Sequence, residues 1–258
     1  MKAIYKAGIK AVEYTNRGDA ALANFTKMVQ LRNAEMPGLL LGVGTIKNMQ
    51  HATDYMAAGA DFLVSPGFVP DVAAYCVAND IFYAPGCMTP TEIIAAENAG
   101  IKFIKLFPGD LLGVGFLKGI KEIFPQLVFM PTGGVDATEE SIASWFNAGA
   151  SAVGMGGKLV SKALMEAGDT KAIEVYTELM KVLMETTDSG SDDSNTLLMK
   201  VFLVFQEMKT VGAQPDLACY NALLRACARE GDLDRAQQVM RRLQEEGLHP
   251  NDKSWREL

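Results

Sequence analysis

The sequence has 258 residues, of which 49% are hydrophobic and 21% are charged, a composition typical of a folded globular protein rather than a disordered one. Its formal net charge of −7 argues against a protein that binds nucleic acid mainly through phosphate contacts. The four cysteines have no CxxC spacing and only two histidines are present, so we expect neither a zinc site nor a disulfide framework.

No stretch of the sequence has the length and apolar character of a membrane-spanning helix. The first ten residues also lack the apolar core of a signal peptide. We therefore expect a soluble, intracellular protein that does not interact with membranes and is located in the cytoplasm, with an organelle as the alternative.

Residues 1 to about 160 repeat one pattern, in which a short apolar run is followed by a helix-like segment. The predicted strands are Lys10–Thr15, Leu39–Thr45, Phe62–Pro66, Phe82–Pro85, Phe103–Phe107, Val128–Thr132 and Ala152–Met155. Their regular spacing is typical of βα units, and no GxGxxG motif follows the first strand to favour an open dinucleotide-binding sheet. The pattern predicts an α/β fold, a (β/α)₈ TIM barrel.

The start of the sequence departs from that pattern. The chain begins inside a predicted helix, which leaves no residues for the first strand of an eight-stranded barrel. We therefore expect a barrel that lacks its first strand and exposes two strand edges.

Residues 186–195 are rich in Ser, Asp and Gly, which predicts a flexible linker. Beyond them, Pro215 and Pro250 lie 35 residues apart, a period typical of helical repeats. The expected organisation is a barrel over 1–185, a linker over 186–195 and a small all-α helical-repeat appendage over 196–258. The appendage carries nine basic and nine acidic residues, so the net charge belongs entirely to the part before it.

Lys105 lies in the middle of a predicted strand, among apolar neighbours. Strand alternation places Phe103, Lys105 and Phe107 on one face. Inside a barrel, loss of hydration favours the neutral amine, which a Schiff-base nucleophile requires at neutral pH. The alternative is a lysine at a strand end whose ammonium group extends to solvent.

Glu13, Thr15 and Arg17 alternate along the first predicted strand and share one face. A carboxylate near the lysine can transfer protons during carbinolamine dehydration and C–C cleavage. An arginine there can bind the carboxylate of a keto acid, and Thr45, at the end of the next strand, could donate its hydroxyl to the same group. The alternative for Glu13 and Arg17 is a structural ion pair at the barrel rim.

Two glycine pairs, Gly133-Gly134 and Gly156-Gly157, follow the last two predicted strands. Barrels often bind phosphate at these positions, through exposed backbone N–H groups and a helix N-terminus. Together the two pairs predict a phosphate-binding site.

The segments that carry these residues form one ordered set of motifs. They are Val12–Arg17, Gly42–Thr45, Val64–Gly67, Pro85–Glu92, Lys105–Gly109 and Pro131–Gly134. Over residues 1–165 they resemble the class I 2-dehydro-3-deoxy-phosphogluconate aldolases, which overlap with 4-hydroxy-2-oxoglutarate aldolase. The resemblance implies a lyase of the Entner-Doudoroff type that needs no metal or cofactor, is usually a homotrimer, and forms pyruvate and glyceraldehyde 3-phosphate.

The resemblance also implies roles for individual residues, with Lys105 as the Schiff-base lysine and Glu13 as the proton-transfer carboxylate. The residues implied in substrate binding are Arg17, Thr45, Phe107, Thr132, Gly133, Gly134, Gly156 and Gly157. The sequence departs from the family at Gly157, where the family has a serine, and in the missing first strand, which usually ends in an arginine near the site.

The tail resembles a pentatricopeptide repeat over about residues 217–251, preceded by the second helix of another repeat over about 198–216. In that family the fifth and last residues of a repeat contact an RNA base, which would assign RNA binding to Asn221 and Asn251. The alternative is a helical hairpin that packs on itself or on a protein partner, because short repeat arrays seldom bind a strand tightly.

Three hypotheses follow. The leading one is a class I aldolase that cleaves a 2-keto-4-hydroxy acid. The second is a catalytically impaired trimeric barrel that displays an RNA- or protein-binding tail. The third is a truncated or fused gene product without a settled function.

Overall fold

The computed structural model describes residues 1–157, individual positions between 159 and 177, residue 215 and residues 217–256. The predicted linker 186–195 and nearly all of the predicted helix 198–216 lie outside the described residues. The chain divides into two compact units, and each is described by itself. The first comprises Met1–Tyr5, Ile9–Val135 and Ser144–Gly156, and the second comprises Lys6–Gly8, Asp136–Ala143 and Gly157–Leu258.

Strands and helices alternate along the first part of the chain, as predicted for an α/β fold. The strands are β1 (Ala11–Thr15), β2 (Leu40–Gly44), β3 (Phe62–Val64), β4 (Phe82–Ala84), β5 (Gly86–Cys87), β6 (Phe103–Leu106) and β7 (Val128–Pro131). The helices are α1 (Lys2–Lys6), α2 (Ala21–Glu35), α3 (Met49–Ala57), α4 (Pro70–Ala78), α5 (Pro90–Asn98), α6 (Gly109–Ile123) and α7 (Glu139–Asn147).

All paired strands are parallel, in the orders β1-β2-β3-β4 and β5-β6-β7. Pro85 separates the two sheets because it has no backbone N–H to donate to the ladder. Its carbonyl still accepts a hydrogen bond from the Lys105 N–H at 3.0 Å. The segment 82–87 therefore continues from one sheet into the other, which explains why one predicted strand is seen as two.

The strands bury one face against the helices and turn the other inward. On the helix side, Leu41, Val43 and Ile104 are fully buried. On the opposite face, Gly42 leaves room for the Phe62 ring, since a side chain at 42 would overlap that ring. The apolar core thus lies between strands and helices, as expected for parallel strands covered by crossover helices.

The last predicted strand, Ala152–Met155, is only a single parallel bridge between Thr132 and Gly154. The Gly154 N–H donates to the Pro131 carbonyl at 2.9 Å. Glycines at 154, 156 and 157 weaken strand formation here, since they lack side chains to pack and have high backbone entropy. Among the described strands β1 pairs only with β2, and the loss of the barrel's first strand stays a prediction.

In the second unit the C-terminal segment is helical, with α8 (Leu217–Glu230), α9 (Leu233–Glu245) and α10 (Asp252–Arg256). The Asp232 side chain begins α9 by accepting a hydrogen bond from the Arg235 N–H at 3.0 Å. Leu224 of α8 and Leu243 of α9 are fully buried, and the two helices pack against each other. In the part of the chain that the structure describes, no helix is both long and apolar enough to span a lipid bilayer.

Candidate active site

Lys105 lies on the inner face of β6. Its neighbours Ile104 and Leu106 point to the helix side and are at most 1% exposed. The Lys105 side chain is 8% exposed, so the alternative of an ammonium group extending to solvent is wrong. The buried amine therefore lies on the inner side of the strands.

Glu13 lies on β1 and faces this amine, with its Oε1 atom 3.6 Å from Lys105 Nζ. Gly44 makes this approach possible, because a side chain at residue 44 would overlap the Glu13 carboxylate. Tyr14, the next residue, turns to the helix side, where its ring centroid lies 5.9 Å from that of Phe25. The predicted alternation along β1 is therefore confirmed.

Arg17 follows β1 and is exposed. It makes no ion pair with Glu13, so the alternative of a structural pair at the rim is wrong. Its guanidinium has no ion pair or side-chain hydrogen bond with any residue that the structure describes, and its donors are free for a bound anion.

Thr45 follows β2 with φ 66°, in the left-handed region that a β-branched residue rarely adopts. The next residue, Ile46, is fully buried and its N–H donates to the Val64 carbonyl at 3.1 Å. This anchoring holds the loop in a strained conformation at the same end of the strands as Arg17.

Phe107 directly follows β6, and its ring centroid lies 5.1 Å from Lys105 Nζ. This distance is within the range of a cation–π contact when the amine is charged. Phe107 thus forms one wall beside the amine, as the sequence predicted.

Thr132 follows β7, and its hydroxyl oxygen is buried without a hydrogen-bond partner among the described residues. Gly154 provides the space for it, since a side chain at 154 would overlap the Thr132 hydroxyl. A buried hydroxyl without a partner is destabilising, so it is notable at a predicted substrate-binding position.

Gly133 and Gly134 both have positive φ angles, 87° and 71°, so the turn after Thr132 favours glycine. The turn packs against the start of α6, where the Gly109 N–H donates to the Thr132 carbonyl at 2.8 Å. Asp110 lies directly against Gly134, where a side chain would overlap it. The sequence analysis did not select Asp110. The signal that could have drawn attention to it is an acidic residue in the first turn of a helix.

Gly156 and Gly157 are exposed. An added Cβ at either residue would meet no atom within 4 Å. Space therefore does not require glycine at these positions.

Asn221 and Asn251, the predicted RNA-binding residues, contact each other and Ser254. The Ser254 hydroxyl donates to Asn221 Oδ1 at 2.7 Å, and Asn251 Oδ1 accepts from the Ser254 N–H at 3.1 Å. Asn251 thereby caps the start of α10, a structural use of its amide.

The buried cysteines are poor nucleophiles. Burial raises the pKa of Cys76 to about 11 and that of Cys87 to about 12. Both are buried and pack as small hydrophobic residues. Within the described residues, no three His, Cys, Asp or Glu side chains cluster closely enough to hold a metal ion.

The comparison with protein families decides the relationship. Residues 1–176 match the family described as KDPG and KHG aldolase. The chain belongs to this family. The match confirms the resemblance seen in the sequence motifs, and residues 203–255 match the pentatricopeptide repeat domain.

Individual relatives agree with this assignment. The 2-dehydro-3-deoxy-phosphogluconate aldolase of Treponema pallidum (strain Nichols) is 36% identical over 135 residues, which are 52% of this chain and 62% of that protein. The KHG/KDPG aldolase of Escherichia coli (strain K12) is 29% identical over 191 residues, 73% of this chain and 84% of that protein. The chain spans less than two thirds of the length of the first curated relatives that it matches.

Among solved structures, the KDPG aldolase from Legionella pneumophila matches with a TM-score of 0.64 and 26% identity, covering 69% of this chain and 84% of that one. That crystal structure holds pyruvate captured at low pH as a covalent carbinolamine intermediate. The parallel α/β fold of this chain is thus the fold of the aldolase barrels.

Proposed function

We propose that this protein is a class I aldolase that forms a Schiff base between Lys105 and a 2-keto-4-hydroxy acid and cleaves it to pyruvate and an aldehyde. The observation that carries the proposal is the buried Lys105 amine with the Glu13 carboxylate 3.6 Å away. A protein interior that holds one amine beside one carboxylate supplies both a nucleophile and a proton carrier.

The bond changes follow from these two groups. Glu13 accepts a proton from the Lys105 ammonium, and the neutral amine attacks the C2 carbonyl to form a carbinolamine. Glu13 returns the proton to the C2 hydroxyl, which leaves as water and gives the protonated imine. Glu13 then takes the proton of the C4 hydroxyl while the C3–C4 bond breaks, so the aldehyde leaves and the electron pair forms an enamine. Protonation of C3 by Glu13 and hydrolysis of the imine release pyruvate.

The substrate carboxylate needs donors near the imine. Among the described residues, Arg17 offers an unpaired guanidinium and Thr132 a buried hydroxyl without a partner, while Thr45 offers a hydroxyl on an anchored loop. A keto-acid carboxylate that accepts hydrogen bonds from these three groups would satisfy Thr132 and neutralise Arg17.

The aldehyde part of the substrate is assigned to the glycine turns at 133–134 and 156–157. With backbone donors there, the substrate is 2-dehydro-3-deoxy-6-phosphogluconate or a related 2-keto-4-hydroxy acid, as in the Entner-Doudoroff pathway. We propose a homotrimer, as the family resemblance implies, with a barrel over 1–185, a linker over 186–195 and helical repeats over 196–258.

The test is borohydride trapping of the full chain with pyruvate, followed by peptide mapping. We expect a reduced pyruvate adduct on Lys105, and none in the Lys105→Met variant with an unchanged circular dichroism spectrum. A folded wild-type protein with no adduct on Lys105 would overturn the proposal.

A second candidate is a catalytically impaired barrel that displays an RNA-binding tail, favoured by the pentatricopeptide match over residues 203–255. Its proposed RNA-contacting residues are Asn221 and Asn251. Their side chains already form hydrogen bonds with each other and with Ser254. Saturable RNA binding by a folded chain that yields no Lys105 adduct would favour this candidate over the aldolase.

A further inference from the structure

Asn16 lies between β1 and Arg17 and forms a side-chain network with α3. Its Oδ1 atom accepts a hydrogen bond from the Tyr55 hydroxyl at 2.8 Å, and its Nδ2 atom lies 3.3 Å from Nδ1 of His51. Its backbone N–H donates to the Gly44 carbonyl at 2.9 Å, which extends the β1–β2 ladder by one residue.

The side chain of Asn16 points away from the chemistry. Along β1, Glu13 faces Lys105, whereas Tyr14 contacts Phe25 on the helix side. Asn16 shares the Tyr14 face by alternation and contacts α3, so it does not touch the reacting atoms.

The partners of Asn16 are themselves fixed. Tyr55 is 2% exposed, and its ring packs edge-on against Phe25 with the centroids 5.2 Å apart. The N–H of His51 donates to the Asn48 side chain at 2.9 Å, in the cap that begins α3. Helix α3 therefore holds the Asn16 amide through one residue near its start, His51, and one near its end, Tyr55.

The loop with Thr45 leads directly into α3, since Thr45 lies only three residues before Asn48. Asn16 thus joins the segment that bears Arg17 to the segment that bears Thr45. Because Arg17 is exposed and forms no ion pair or side-chain hydrogen bond within the described part of the chain, Asn16 is the nearest side-chain anchor along its segment.

We propose that Asn16 is a positioning residue for the substrate carboxylate, which holds Arg17 in register with Thr45. The inference rests on the proposed aldolase function. An amide suits this place because its oxygen accepts from Tyr55 while its nitrogen lies within hydrogen-bond distance of Nδ1 of His51. Alanine can make neither bond.

The test measures borohydride trapping of pyruvate on the full chain over a range of pyruvate concentrations. For Asn16→Ala we expect the half-saturating concentration to rise about tenfold, because two hydrogen bonds that order the carboxylate site are lost. The maximal trapping rate should change less than twofold, because Lys105 and Glu13 are untouched. A change in general stability alone would not produce this split.

Three further variants keep the test decisive. Tyr55→Phe removes one of the two bonds and retains the ring contact with Phe25, so we expect a rise of about threefold. Combined with Asn16→Ala, it should add nothing, because both substitutions break the same bond. The matched control is Asn79→Ala. It removes the hydrogen bond that the Asn79 side chain donates to the Tyr75 carbonyl at the end of α4. It should leave both the half-saturating pyruvate concentration and the maximal trapping rate unchanged.

An unchanged half-saturating concentration in Asn16→Ala and Tyr55→Phe would overturn the positioning role while wild-type trapping persists. An equal rise in Asn79→Ala would overturn it as well. Failure of the proposed function would be distinct, since the wild type itself would then give no adduct.

Discussion

Two hydroxyls, Thr132 in the first unit and Ser254 in the second, have opposite surroundings. Ser254 is fully buried, donates to Asn221 at 2.7 Å and accepts from the Asn251 N–H at 3.1 Å. The Thr132 hydroxyl is equally hidden from water and has no hydrogen-bond partner among the described residues. The same chemical group thus stabilises the fold in the C-terminal helices and, in the candidate active site, is left for a ligand.

The charged groups of the candidate active site show the same contrast. The guanidinium of Arg17 is unpaired within the described residues, and Glu13 is the only acidic group among them that pairs with the Lys105 amine. If these groups serve catalysis, their substitution should change rates more than stability, and the reverse should hold in α8–α10.

The largest effect is expected for Glu13→Gln. The amide keeps the shape of the side chain but cannot carry protons, so we expect kcat for keto-acid cleavage to fall about 10²–10⁴-fold. Its circular dichroism spectrum should match that of the wild type, because the substitution keeps the shape of the side chain. A kcat within threefold of the wild-type value would contradict the assignment of Glu13.

Gly44→Ala should give the next largest effect. The new methyl group overlaps the Glu13 carboxylate, which must move away from Lys105. Displacement of a catalytic group by about 1 Å can lower a rate about 10²-fold, and we expect kcat to fall between about ten- and a hundredfold.

The matched control for this prediction is Gly115→Ala. Gly115 is an exposed residue of α6, and an added Cβ there meets no atom within 4 Å. It should keep full activity and gain stability of about 0.5–1 kcal/mol from its higher helix propensity. Equal activity of the two variants would show that Gly44 does not hold Glu13 in place.

The smallest effects come from the two hydroxyls themselves. Thr132→Val should leave the free energy of unfolding unchanged or raise it by up to about 1 kcal/mol, because it removes an unsatisfied buried group. Ser254→Ala should lower the local stability of α10 by about 1–2 kcal/mol, because it removes the hydrogen bonds of the Ser254 hydroxyl with the Asn221 side chain and with the Asn251 N–H.

Amide hydrogen exchange separates these outcomes, since protection can be measured in β7 and in α10 independently. The concentration of pyruvate that half-saturates trapping should rise only in Thr132→Val. Loss of protection in β7 with unchanged pyruvate binding would mean that the Thr132 hydroxyl is structural after all.

Much of the fold could be predicted because period-two and helical patterns are local properties of the sequence. The alternation of Glu13 with Tyr14 and the burial of Lys105 both followed from strand geometry. The division of one predicted strand at Pro85 was harder to predict from the sequence. It depends on the place in the β-sheet where the proline, which has no backbone N–H, interrupts the hydrogen bonds between strands.

The part of the site that escaped prediction depends on contacts between distant segments. Only the structure places His51 beside Asn16, 35 residues earlier in the chain. Asp110 was missed for the same reason, since its neighbour Gly134 lies in a different turn. A single sequence does not encode such pairings in any local pattern.

The left-handed backbone of Thr45 has a consequence for any attempt to make this protein more robust. At φ 66° a threonine is disfavoured relative to glycine by about 1–2 kcal/mol, so removal of its side chain would relax the loop. The same change would delete a hydroxyl that we assign to the substrate carboxylate. At this one residue, a substitution that raises thermal stability would therefore weaken binding of the proposed substrate. Selection for heat resistance alone would favour a protein that binds this substrate less well.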